Sequence, residues 1–266
     1  MKRITLREHQ IIALDILKYF NQICLSHGIK YSLGGGTLIG AVRHQGFIPW
    51  DDDVDVYMCR DEYEKFVQAW QHQQHTKYDL SLAERIDGMI PGEMTKIFDK
   101  ETRLVDTKGR TTGIFIDIFI WDGVPNEPSV IYKAMKKHRR LKLRLSSCRK
   151  RWYRAQENSL MKVVFSKLSH YFFHKMMTHL TSFQQKYPIE RADYIGLFLS
   201  DYGGWQKSYM PKVYFSDVVY LNFEGETFPV MNGYHEHLTM YYGDYMQLPP
   251  VHEQKPHHTV EAYKLS

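Results

Sequence analysis

Between positions 31 and 58 the chain reads YSLGGGTLIGAVRHQGFIPWDDDVDVYM, and Asp51, Asp52, Asp53 and Asp55 crowd into five residues. Carboxylates so close together repel one another and are costly to desolvate. A hard divalent cation relieves both costs, and Mg²⁺ or Mn²⁺ takes oxygen ligands. Just upstream, Gly34, Gly35 and Gly36 would let backbone approach a phosphate closely. A phosphate cradle beside a carboxylate-held metal points to phosphoryl or nucleotidyl transfer.

The spacing assigns roles. Residues 53–58, DVDVYM, alternate as a strand does, so Asp53 and Asp55 share a face, about 6.5–7 Å apart at the backbone. Asp51 joins that face if the strand begins early. Asp52 falls on the other face with Val54 and Val56, where it reads as a turn or cap residue. A third carboxylate from a neighbouring strand completes such a site, and Asp117, the one acid in IFIDIFI, is the candidate. Each part has a plainer reading. A DDD run is commonly a solvated turn, GGG a flexible one, and a buried acid can be satisfied by backbone donors. The joint spacing is far more specific than any part.

The elements needed to hold these residues are legible nearby. Residues 5–27 read as an amphipathic helix through Leu6, Ile11, Leu14, Leu17 and Leu25, stopped by Gly28. Residues 29–33 read as a short strand, the glycines as a turn, and Thr37 as the cap of the helix TLIGAVRHQ. Residues 61–74 look helical, 95–98 and 114–120 extended, and 219–230 form a hairpin turning at Glu224 and Gly225. The fold class expected is α+β, a mixed sheet core with a basic helical insertion and a C-terminal segment packing back on the core. The expected domains are 1–127 (core), 128–200 (basic helical subdomain) and 201–266 (completing core and active site).

Composition narrows the class. The chain has 266 residues, 43% apolar and 24% charged, enough for a substantial core. Three scattered cysteines without a CxxC spacing argue against a disulfide framework or zinc site and fit a reducing cytoplasm. The first twenty residues lack the apolar run of a signal peptide, and no stretch approaches the ~18 apolar residues of a membrane span.

The motif set resembles the nucleotidyltransferase superfold: Gly35, Gly36 and Thr37 at a helix start, Asp53 and Asp55 as D-x-D, Asp117 as the later acid. More narrowly, GTLIGAVRHQGFIPWDDDVDV resembles the LicD family of phosphocholine transferases, related to fukutin-type phosphoribitol transferases. The similarity continues through TKIFDKETRLVD and IFIDIFIWDG and returns in FEGETFPV, YYGDYMQLPP and KPHH. In IFIWDG the family more often has a Pro before the last acid. The resemblance implies transfer of phosphocholine from CDP-choline to a hydroxyl of a lipid-linked or oligosaccharide cell-surface glycan, of teichoic acid or lipopolysaccharide type, releasing CMP. It implies one or two Mg²⁺ (or Mn²⁺) on Asp53, Asp55 and Asp117, with Asp51 as a further ligand. Pyrophosphate would sit at residues 35–37, with Arg43, His44 and Lys96 as phosphate contacts. Aromatic faces hold a quaternary ammonium best, which makes Trp50, Trp121, Tyr241 and Tyr242 candidate cage members.

Residues 131–154 hold eleven Lys/Arg, and no acid occurs between Glu127 and Glu157. Such a segment suits peripheral contact with the anionic inner face of the plasma membrane, or is simply a solvated face. A cytoplasmic enzyme is expected, and nucleic acid is not the expected partner. Two rivals fit the same residues: a transferase using another CDP-alcohol or an NTP, RNA-type nucleotidyltransferases included, and a non-catalytic metal-binding protein that interacts with carbohydrate.

Overall fold

The computed structural model describes residues 1–83, 94–106, 111–157, 159–198, 205–256 and 260–265. The chain opens with β1 (Lys2–Arg3), α1 (Leu6–Ser26), β2 (Ser32–Leu33), α2 (Gly35–Ile39), β3 (Asp55–Cys59) and α3 (Arg60–Gln71). Five strands follow: β4 (Tyr78–Ser81), β5 (Thr95–Asp99), β6 (Thr102–Asp106), β7 (Thr111–Thr112) and β8 (Phe115–Val124). Two long helices, α4 (Pro128–Arg154) and α5 (Leu160–Lys186), precede β9 (Tyr194–Leu197), β10 (Tyr209–Pro211), β11 (Val218–Phe223), β12 (Glu226–Met231), α6 (Tyr234–Tyr242) and β13 (Val260–Lys264). The class is α+β with mixed sheet, as the pattern predicts. Two units divide it: Met1–Leu80, Lys96–Ile120 and Val213–Ser266 form one, Ser81–Thr95 and Trp121–Lys212 the other.

In the first unit, Thr5 and Glu8 start α1 by a reciprocal cap: Glu8 N–H donates to Thr5 Oγ1 (3.2 Å) and Thr5 N–H to the Glu8 carboxylate (2.8 Å). The buried stripe of α1 runs through Ala13, Ile16, Leu17, Phe20, Ile23 and Cys24, whereas Ile11 and Leu25, expected on it, are exposed. Phe20 packs edge-on against Tyr31 and Phe66. Gly28, with φ +64°, closes the helix as expected.

β2 pairs antiparallel with β3, Leu33 opposite Val56. Asp117 N–H donates to Val54 O at 2.8 Å, which draws β8 alongside the residues just before β3. The β11–β12 hairpin turns where expected, with φ 56° at Glu224 and 80° at Gly225, the positive pair of a tight hairpin turn. It is tied below β2 by Met231 N–H on Ser32 Oγ (2.9 Å). A small sheet in the order β1-β13-β6-β7 was not foreseen. Its strands are two to five residues long, too short for alternation to mark them in the sequence.

In the second unit, residues 121–124 of β8 pair antiparallel with β9, and β9 with β10. Helices α4 and α5 pack around Leu141, Leu145, Phe173 and Met176. Arg144 lies over Phe172 and Arg151 over Phe165, which shows that the pair is antiparallel. Among the described residues, no helix is long and apolar enough to cross a membrane.

Candidate active site

The glycine turn and the acidic segment meet directly. Gly35 has φ +49°, and a Cβ there would lie 2.2 Å from Asp55 Oδ2; a Cβ on Gly36 would lie 2.7 Å from Asp51 Oδ2. These glycines therefore make room for the two carboxylates. The sequence suggested instead that they make room for phosphate. The Gly35 N–H is also taken, donating to the Tyr57 hydroxyl at 3.0 Å. Gly34, not Thr37, is the N-cap residue of α2. Thr37 lies inside the helix, and its Oγ1 accepts the Asp55 N–H (2.9 Å), fixing the start of β3 against α2.

β3 begins at Asp55, so residues 51–54 are not extended strand and alternation does not govern them. As a result Asp52, assigned by alternation to the far face, joins the cluster: carboxylate oxygens of Asp51, Asp52 and Asp53 lie within 4.8 Å of one another. The Asp51 carbonyl accepts from Gln10 Nε2 (2.9 Å), which braces the loop against α1.

The electrostatics are those of a crowded acid cluster. Burial, then the charges of Asp53, Asp117 and Asp51, push the Asp55 carboxyl well above the usual carboxylate range, with Lys96 opposing. Burial and then Asp53 and Asp52 push Asp51 up to about 8, against a hydrogen bond from the Asp52 backbone. Lys96 lies 2.5 Å from Asp117 Oδ1 and 3.4 Å over the Phe115 ring. An all-oxygen donor set of crowded, half-buried to buried carboxylates fits a hard divalent cation.

Asp51, Asp53, Asp55, Asp117, Gly35, Gly36, Thr37 and Lys96 are thus brought together. Arg43 and His44 are not: they lie two helical turns beyond the glycines. Arg43 donates to the carbonyls of Tyr245 (2.7 Å) and Gln247 (3.1 Å) and to His44 Nε2 (3.0 Å). Of the aromatic candidates, Trp50 is half-buried next to Asp51, and Tyr241 and Tyr242 are neighbours with ring centroids 5.9 Å apart. Tyr241 lies 4.7 Å from His237, whose ring meets Tyr57 edge-on at 5.6 Å, so a run of rings links the glycine turn to α6. Trp121 is fully buried in the second unit. His257 and His258 of KPHH lie outside the described residues.

Residues the sequence reading passed over line a cleft of about 590 Å³ beside this cluster: Arg3, Thr5, His9 and Lys255, with Asp52 shared between cleft and cluster. His9 is buried, and its place on α1 gave no signal, since a lone His on an apolar face reads as core.

A family model described as "LicD/FKTN/FKRP, nucleotidyltransferase domain" matches residues 28–140. Over 265 residues, all of both chains, the protein is 63% identical to the lipopolysaccharide cholinephosphotransferase LicD of Haemophilus influenzae. The chain belongs to the LicD family. More distant relatives match only part of it. The human ribitol 5-phosphate transferase FKRP is 43% identical over 42 residues, 16% of this chain and 8% of that protein. An uncharacterised Rickettsia typhi protein is 38% identical over 69 residues, 26% of this chain and 22% of its own. This LicD-family chain is a transferase.

Proposed function

We propose that this LicD-family enzyme transfers phosphocholine from CDP-choline to a hydroxyl of a lipopolysaccharide-type glycan, releasing CMP. The observation that carries the reading is full-length 63% identity to a lipopolysaccharide cholinephosphotransferase, in a chain whose acid cluster is packed on a glycine turn. The acceptor oxygen forms a bond to the choline-bearing phosphorus, the bond from that phosphorus to the CMP oxygen breaks, and the hydroxyl proton passes to a base.

Asp51, Asp53, Asp55 and Asp117 would hold Mg²⁺ or Mn²⁺, which, when bound, neutralises phosphate charge. Lys96, ion-paired with Asp117, would orient that candidate base and offer its ammonium to a phosphate oxygen. Tyr241 and Tyr242 are candidates to hold the choline head. Burial lowers the pKa of His237 to about 4, so the ring beside Tyr241 stays neutral near pH 7 and does not repel a quaternary ammonium. The cleft at Asp52 offers cations, a hydroxyl and a buried imidazole, which suits a polar, charged sugar acceptor. A cytidine nucleotide donor supports a cytoplasmic location.

The test is CMP release from a panel of CDP-choline, CDP-ribitol and CDP-glycerol with deacylated lipopolysaccharide as acceptor. CDP-choline should be preferred by a wide margin. Preference for CDP-ribitol, the arm suggested by the FKRP segment, would overturn the choline assignment.

A further inference from the structure

The α4–α5 hairpin has an outer surface that the chemistry above does not use. Leu160, Met161, Val163, Val164, Leu168 and Tyr171 are each between 38% and 77% exposed. Their spacing puts them on the side of α5 turned away from α4, because Phe165, Ser169, Phe173, Met176 and Leu180 take the inner side. Lys167 is the only charged residue on that stripe over these three turns. Tyr153, at the end of α4 and therefore at the same tip, is also exposed. An apolar stripe of this size facing water is unusual in a domain that has no need of it.

Charge decides what covers it. Residues 128–186 carry fifteen Lys/Arg and one acid, Glu157, which is ion-paired with Lys162. Formal charge for the whole chain is only +5, so the remainder is net negative and the cations are concentrated in the hairpin. Lys150, Arg151 and Arg154 are exposed at the same tip, in the last turns of α4. A second copy pairing about a twofold axis would set two such cationic hairpins against each other. A nucleic acid would use the cations and leave the aliphatic stripe in water. An anionic bilayer satisfies both, taking Leu and Val below the headgroups and Lys and Arg at their level.

We propose that the tip of the α4–α5 hairpin is a membrane-docking element, with the outer face of the first three turns of α5 entering the headgroup–acyl boundary of an anionic leaflet. The basic segment 131–154 supplies long-range attraction, and α5, not that segment, supplies insertion. The inference is independent of which alcohol the enzyme transfers.

The test is co-sedimentation of the full chain with vesicles of phosphatidylcholine containing roughly 30% phosphatidylglycerol, and with phosphatidylcholine alone, at about 0.1 M salt, where the Debye length is ~10 Å. Wild type should bind the anionic vesicles. The variant Leu160→Gln, Val164→Gln, Leu168→Gln should bind about tenfold or more weakly, since each buried aliphatic side chain contributes to partitioning. All three are exposed, so circular dichroism and melting should be unchanged. Wild type should keep part of its binding when salt is raised to about 0.5 M, and the variant none, because apolar insertion is not screened. Equal sedimentation of wild type and variant overturns the proposal, as does absence of binding to anionic vesicles. A wild-type dimer dissociated by the triple variant, with vesicle binding unchanged, would assign the stripe to a second copy instead.

Discussion

Asp55 is the most crowded acid of the candidate site. It is buried, it faces three other carboxylates, and the absence of a Cβ on Gly35 is what admits it. Asp55→Asn keeps the shape and removes a charge the apoprotein accommodates poorly. Turnover should fall by about a thousandfold or more, while the metal-free melting temperature should hold or rise; a lowered melting temperature would show that the carboxylate stabilises the fold. The raised pKa values give a pH dependence of definite sign. A carboxyl whose folded pKa exceeds its unfolded value binds its proton more tightly in the folded state. Its contribution is therefore full below the ordinary carboxylate range of ~3.9 and is lost as pH rises through the folded value. With Asp51 at about 8, the metal-free protein should lose stability steadily between about pH 5 and 8. The stabilisation from added Mg²⁺ should grow over the same interval, and melting curves with and without metal check both. Gly35→Ala would combine a left-handed φ with a carboxylate contact, so it should cost at least about 1 kcal/mol as well as activity, measured by urea unfolding. At this scale the acids that meet were legible in the sequence, and the use of the glycines was less so. Their spacing announced close approach, but what approaches is the protein's own carboxylates.

Elements were legible where periodicity or turn chemistry is strong. Glu224 and Gly225 announced their hairpin, and the apolar run around Asp117 its strand. Asp52 was misplaced because alternation was extended through residues that precede the strand, and nothing in DDDVDV marks where extension begins. Thr37 looked like a cap because capping residues are read locally, while the contact that employs it, Asp55 N–H, comes from eighteen residues away. The fastening of elements was hardly visible at all. Glu224 accepts two hydrogen bonds from Arg7 (3.2 and 2.6 Å) and one from Phe47 N–H (3.1 Å), tying α1, the loop after α2 and the β11–β12 turn together. These bonds hold its carboxyl below the usual range, the Arg7 bond most of all, so its contribution is present above that range and fades as pH falls into it. Glu224→Gln should cost about 1–2 kcal/mol at pH 7 by denaturant unfolding and little at pH 3. In the hairpin, His138 is buried near His179 and Phe198, with no hydrogen-bond partner for either ring nitrogen among the described residues, and burial lowers its pKa to about 3. A His that resists protonation when folded loses stability for the protein as pH falls below ~6.5. His138→Leu should flatten that acid limb and match or exceed wild-type stability at neutral pH.

Across the whole molecule, the balance of charge matters more than its sum. A hairpin rich in cations coexists with a unit whose acids are gathered at one site, so salt should affect two properties separately: surface adsorption through the first, metal affinity through the second. Donor binding should register globally as well. Mg²⁺ with CDP-choline at about a hundred times its Kd should add roughly 2.7 kcal/mol to unfolding stability, and Mg²⁺ alone distinctly less. A thermal shift no larger for the pair than for the metal would point to a structural ion. The pairing of β1 with β13 has a further use. Lys2 sits opposite Lys264 and Arg3 opposite Tyr263, so positions near the two ends of the sequence are adjacent backbone, about 5 Å apart across the ladder. A few glycines and serines could splice them, and the chain could be reopened between Ala155 and Gln156, where α4 gives way to α5. Such a circular permutant would keep every strand neighbour while moving both new ends to the hairpin tip, which would offer a way to attach a tether or fluorophore there without altering any residue of the acid cluster.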